Sequence, residues 1–167
     1  MSGFFPYAYR RLTCADVPLL KDLLRVLGEA FGEIDTYQGC VPSDDYLRRL
    51  LSKQDFIAVA AMTGEDVIGG LAAYELEKFE QDRREIYIYD LAVAQSHRRR
   101  GVARGMIGEL RRIASERNVH VIFVQADLED GPAIALYESL GTRKTAYHFD
   151  IEVAGLAPRG RGGGRRQ

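Results

Sequence analysis

Cysteine is scarce: Cys14 and Cys40 are the only two in 167 residues. A pair cannot make a disulfide scaffold, and neither residue has metal-ligand spacing. Neither has a histidine partner in view, which argues against a thiol nucleophile. The histidines, His97, His120 and His148, are scattered, so the sequence offers no zinc site. The expectation is a reduced, cytoplasmic protein without a metal. Long apolar runs are missing as well. No stretch approaches the roughly 18 residues that a membrane helix requires. The start, MSGFFPYAYRR, has aromatics but no cationic region ahead of them, so it does not read as a secretory signal. Net charge is also slight, at −1, yet it is unevenly placed. The segment AGLAPRGRGGGRRQ (154–167) holds four arginines and no acid, and without it the body carries −5. Such a segment cannot bury enough apolar surface to repay ordering, so a disordered tail is expected there and one domain over 1–153. An acidic body disfavours a nucleic-acid partner.

What is present is a core. Hydrophobic residues make up 46% of the chain. FPYAYRRLT reads as a first strand, and Thr13–Asp16 as a helix start. Val17, Leu20, Leu23, Leu24 and Leu27 recur at helical spacing, with Gly28 or Gly32 as the stop. DTYQGCVPS reads as a loop. SDDYLRRLLSK is a short helix with Ser43 as N-cap. FIAVAAM, the turn TGED and VIGGLAAYEL make a hairpin, and Gly69-Gly70 marks a bulge or a close backbone approach. EIYIYDLAV is a strand by its β-branched and aromatic content. GVARGMIGELRRIASERN is an amphipathic helix and VHVIFVQAD a central strand. GPAIALYESLG is a helix with Pro near its first turn, and TAYHFDIEV closes as a strand. The order predicts a mixed α/β sheet with helices on both faces.

One segment points to chemistry. A strand leads through SHRRRGVARG (96–105) into a helix. A helix start carries unpaired N–H groups and the positive end of the dipole, and it binds phosphate. Gly101 permits close backbone approach, and Arg98, Arg99, Arg100 and Arg104 add charge. The four arginines cannot all point one way, so some belong to a solvated basic face. There is no P-loop lysine and no GxGxxG.

The strand end DLAV followed by HRRRGVA resembles the acetyl-CoA-binding motif of the Gcn5-related N-acetyltransferases. A second segment, DLEDGPAIALYESLG (127–141), is similar to that family's later signature through Asp130, Ala133, Leu136, Tyr137 and Gly141. KFEQDRREIYIYDLAV (78–93), GEAFGEIDTY (28–37), VQAD (124–127) and HFDIEV (148–153) resemble the type I aminoglycoside 3-N-acetyltransferases, the gentamicin-modifying branch. The likeness spans 8–153 and leaves the Arg/Gly tail outside.

The resemblance implies a mostly antiparallel central sheet and acetyl-CoA as donor. Its pyrophosphate would lie on Arg98, Arg99, Arg100, Gly101, Val102, Ala103 and Arg104, with Asp130 and Ala133 of the second signature also near the cofactor. The pantetheine arm would run beside Leu91, Ala92 and Val93, where the strands carrying 85–93 and 119–126 splay. A backbone N–H near Leu91 would face the thioester oxygen. The acceptor ammonium must lose a proton before it can attack. Asp90 is the first candidate base, with Glu85 and Asp127 in reserve. Alternation places Asp90 on the face opposite Glu85, Tyr87 and Tyr89, unless a bulge intervenes. Tyr137 would protonate the departing thiolate. A polycationic acceptor calls for acids, and Glu33, Asp35, Glu80, Glu85, Asp90, Asp127, Asp150 and Glu152 are the candidates. Tyr87 and Tyr89 either flank a sugar ring of the acceptor or pack, and packing is the expectation. Another polyamine or a protein amine is the alternative acceptor, and the resemblance also implies a homodimer.

Overall fold

The computed structural model describes residues 7–153, so the tail expected over 154–167 lies outside the described residues. The elements are β1 (Ala8–Arg11), α1 (Val17–Phe31), α2 (Ile34–Gln38), α3 (Asp44–Leu51), β2 (Phe56–Thr63), β3 (Asp66–Glu77), β4 (Arg84–Val93), a 3-10 turn (Gln95–His97), α4 (Val102–Glu116), β5 (Val119–Val124) and α5 (Gly131–Glu138). The chain forms two compact units, one running to Val124 and the other starting at Gln125.

The first unit holds a five-stranded sheet in the order β1-β2-β3-β4-β5. Its first three pairings are antiparallel, and β4 with β5 is parallel. The mixed, mostly antiparallel sheet is therefore present. A parallel pair needs a long crossover, and α4 supplies it. Leu20, Leu23, Val26 and Leu27 of α1 and Leu47 and Leu51 of α3 pack with Phe56, Ala58, Ala60 and Met62 of β2 and Ala92 of β4. Ile57, Val59 and Ala61 alternate to the opposite face and are fully buried there, where α4 packs through Met106 and Leu110. Helices therefore cover both faces.

Local chemistry explains the boundaries. Gly32, not Gly28, ends α1, in the left-handed conformation. Ser43 caps α3 by accepting from the Tyr46 N–H at 3.3 Å. Asp16 precedes α1 but turns back, accepting from Thr13 N–H and Oγ1 at 2.8 Å each and pairing with Arg10. Both readings of Gly69-Gly70 apply. The β2–β3 register slips beside Gly69, and α1 presses Leu23 onto Gly70. At the far end of the sheet Glu75, 5% exposed in its side chain, receives Arg84 at 3.2 Å and also Arg117, which donates to the Gln54 carbonyl at 2.8 Å. This buried carboxylate ties β3 to β4 and to the end of α4.

Three expectations fail. VHVIFVQAD does not form a central strand, because among the described residues β5 stands at the edge of the sheet with β4 as its one neighbour. DTYQGCVPS is not all loop, because Ile34–Gln38 forms α2. Tyr37 anchors the segment by packing against the core, while Ile34 is exposed. In the second unit TAYHFDIEV forms no strand, and residues 142–153 are irregular. Alternation is only half of a strand signal; a paired edge is the other half. Within that unit Asp130 caps α5 by accepting from the Ala133 N–H at 3.1 Å.

Candidate active site

Directly paired residues on neighbouring strands share a face, as do residues two apart on one strand. Leu76 pairs with Glu85, Tyr74 with Tyr87, and Ala72 with Asp90. Asp90 therefore lies on the same face as Glu85 and Tyr87, which overturns simple alternation. The cause is one extra residue. Ala73 opposes Ile88 and Ala72 opposes Asp90, so Tyr89 bulges out of the ladder and shifts the phase.

On that face the Tyr37 hydroxyl donates to Asp90 Oδ2 at 3.2 Å. Tyr37 reaches it from α2, and the packing depends on Gly28, where a Cβ would stand 3.0 Å from Tyr37 Cβ and 3.2 Å from Gln38 Nε2. Asp90 is partly buried, and burial pushes its carboxyl above the ordinary carboxylate range. The Tyr37 hydrogen bond opposes that rise, and the negative charge of Glu33 reinforces it. Burial and the neighbouring Asp90 charge together hold the Tyr37 phenol well above its ordinary value. Tyr37 stays protonated and remains a donor.

The bulge also coincides with a strand opening. The β4–β5 ladder ends at Ile88–Val124, while β4 runs on to Val93 against β3 alone. Leu91, Ala92 and Val93 thus present one edge with no partner in the ladder. The pairing stops at Ile88 because β5 itself ends at Val124. An extended chain with alternating polar groups fits such an edge as an added strand would.

Past Val93 the chain makes the Gln95–His97 turn and enters α4. Gly101 is the N-cap, at φ +81° with no side-chain cap, so the first-turn N–H groups point outward without a side-chain acceptor. A Cβ at Gly101 would meet nothing within 4 Å, so the requirement is the positive φ rather than space. Arg99 also adopts a positive φ, of 61°. Arg98 Nε donates to the Val93 carbonyl at 3.0 Å, tying the loop to the strand end. Arg99, Arg100 and Arg104 are exposed. The site fits a pyrophosphate through the helix start and these three side chains, with Arg98 holding the loop.

The other acids separate by environment. Glu85 shares the face of Asp90, but Arg83 at 2.7 Å and Lys78 at 3.8 Å already neutralise it. Glu80 pairs with Lys78 at 2.9 Å. Glu33 and Asp35 are exposed, as the N-cap residue and in the first turn of α2. Tyr137, Asp127, Asp130, Ala133, Asp150 and Glu152 belong to the second unit. There Tyr137 is partly buried, and burial, with the charge of Asp130, raises its phenol above the ordinary value. Asp150 Oδ1 accepts from His148 Nε2 at 3.1 Å, and Asp127 is exposed. Among the described residues no cluster suits a metal ion. No described helix is long and apolar enough to cross a membrane. Sequence reasoning missed Tyr37.

The profile of the Acetyltransferase (GNAT) family matches residues 21–142, which contain the bulged strand, the arginine helix start and α5. The chain belongs to the GNAT acetyltransferase family. Among solved structures this GNAT chain is similar to an aminoglycoside acetyltransferase from an uncultured soil metagenomic sample. The identity is 52%, the TM-score is 0.87, and 89% of this chain and 99% of that one are covered. A second aminoglycoside acetyltransferase of such origin, in complex with sisomicin, is 27% identical with a TM-score of 0.81, covering 88% and 96%. Human N-acetyltransferase 8 is 24% identical over 110 residues, 66% of this chain and 48% of that protein. The rat N-acetyltransferase 8B match is 24% identical over 66% of this chain and 50% of its own. The chain spans about half the length of these curated relatives.

Proposed function

We propose that the chain transfers an acetyl group from acetyl-CoA to an amine of an aminoglycoside, at the 3-amino group of the deoxystreptamine ring of the gentamicin class. The observation that carries this reading is the position of Asp90. A partly buried carboxylate, held by Tyr37, stands one residue before the open strand edge of a GNAT sheet. The 52% likeness to an aminoglycoside acetyltransferase supports the acceptor class.

Acetyl-CoA supplies an acetyl thioester. Arg99, Arg100, Arg104 and the N–H groups of Val102 and Ala103 hold the pyrophosphate, and the Leu91–Val93 edge orients the arm. An alkyl ammonium holds its proton up to a pH near 10, so attack needs a base. Asp90 takes that proton, and its raised proton affinity suits the task. As the N–C bond forms and the C–S bond breaks, a backbone N–H at Leu91 faces the growing negative charge on oxygen. The leaving sulfur takes a proton from Tyr137, whose raised phenol remains protonated at neutral pH. Glu33 and Asp35 draw in the cationic acceptor. The transfer is direct, in a ternary complex, and the enzyme acts in the cytoplasm as a homodimer.

The test is coenzyme A release with gentamicin and sisomicin, run beside spermidine and a peptide amine. Turnover of the aminoglycosides, with acetylation at the 3-amino position by NMR, supports the reading. Turnover of only spermidine or the peptide would overturn it.

A further inference from the structure

Five aromatic rings cross the Asp90 face of the sheet. Phe56 pairs with Tyr74, Tyr74 with Tyr87 and Tyr87 with Phe123 in register, making one row across β2, β3, β4 and β5. The ring centroids lie 5.3 Å apart for Phe56–Tyr74 and 5.1 Å for the stacked Tyr87–Phe123 pair. Tyr89, pushed out by the bulge, stands on this row. Its ring is 5.9 Å from Tyr74 and 6.0 Å from Tyr87, at 84° and 78° to them. Tyr89 is 60% exposed and Tyr74 37%. A packed core would not leave Tyr89 this open, or set it perpendicular to the two rings beside it.

We propose that Tyr74, Tyr87 and Tyr89 form an aromatic corner that binds a second, non-reacting ammonium group of a polyamino-sugar acceptor and stacks against its ring. This rests on the reading of the chain as an aminoglycoside acetyltransferase. Ring faces attract cations, and walls at right angles surround one better than a single ring does. The electrostatics agree. Burial raises the phenols of Tyr74 and Tyr87, and the negative charge of Asp90 raises both further, so its field reaches these rings. A cation in the corner is drawn by the rings and by the carboxylate together. The other groups that act on Asp90 are Tyr37 and Glu33 from the α2 side, and neither is positive. The bulge thus does two things at once: it turns Asp90 toward the acceptor face and lifts Tyr89 to meet the acceptor's remaining charge.

The experiment is calorimetric titration of sisomicin onto the full chain with coenzyme A present, for the unaltered protein, Tyr89→Phe, Tyr89→Leu and Tyr74→Leu. A phenylalanine keeps the ring face, so Tyr89→Phe should bind within about twofold, while each leucine variant should bind at least about fivefold more weakly. In turnover, the loss should fall on the sisomicin KM rather than on kcat. Equal binding by Tyr89→Leu and Tyr89→Phe would overturn the proposal. A leucine variant that changes only Tm or oligomeric state would do so too, since the rings would then be a packing surface. Absence of binding to the unaltered protein would overturn it as well. Binding without coenzyme A release would instead remove the acetyltransferase reading and leave the corner standing.

Discussion

Tyr37 on α2 donates its hydroxyl to Asp90 on β4 at 3.2 Å, across 53 positions of sequence. This bond turns a strand carboxylate into a held one, and it sets Asp90 between two opposing influences. The hydrogen bond favours the ionised form, while burial and Glu33 favour the neutral one.

Asp90→Asn should lower kcat by about 100-fold or more, the usual scale for loss of a general base. Acetyl-CoA affinity should hold, because the helix start at Gly101 is untouched. The fold should hold as well. Folding raises the proton affinity of Asp90, so its charge opposes folding at neutral pH, and asparagine removes that charge while still accepting from Tyr37. Kinetics beside a thermal melt check this; an unchanged rate would reject Asp90 as base.

Tyr37→Phe and Glu33→Gln should move the acid limb of the kcat/KM profile in opposite directions. Removing the phenol withdraws a bond to the carboxylate, so Asp90 holds its proton more tightly and the limb moves to higher pH. Removing the Glu33 charge makes ionisation easier, and the limb moves to lower pH. A full pH–rate profile of each variant reads the sign directly.

Gly101→Ala should cost on the order of 1 kcal/mol in stability and raise the acetyl-CoA KM, because the residue sits at φ +81°. Arg98→Met and Arg100→Met should differ. Arg98 ties its loop to Val93, so its loss should lower Tm as well as cofactor affinity. Loss of exposed Arg100 should raise the acetyl-CoA KM alone, in a salt-dependent way. Melts and acetyl-CoA titrations at two ionic strengths separate the two arginines.

Glu75→Ala should destabilise the protein by about 3 kcal/mol, since it leaves Arg84 and Arg117 without their shared buried partner. Urea unfolding measures the loss.

Much of the fold was legible because its signals are local. Apolar spacing over 17–31 and 102–116 marks two helices, Ser43 marks a cap, and the arginine run marks a helix start. The misses share one cause. Whether 145–153 forms a strand depends on a partner edge, and alternation carries no information about that edge. Whether Glu85 serves as a base depends on Arg83 and Lys78 standing beside it. Arg98 looks like its neighbours in the run, yet its Nε donates to the Val93 carbonyl, a contact that spacing does not show.

The sequence by itself determined α1, α3, α4 and the β2–β3 hairpin, the family signatures and the place of Asp90 directly before Leu91–Val93, since each is written in residues close together. Only the tertiary structure decided that Asp90 shares a face with Tyr87 and that Tyr37 holds it. The phase of a strand is set by its neighbour, and one unpaired residue at Tyr89 reverses it. A hydrogen bond across 53 positions exists only once α2 has been packed against the sheet.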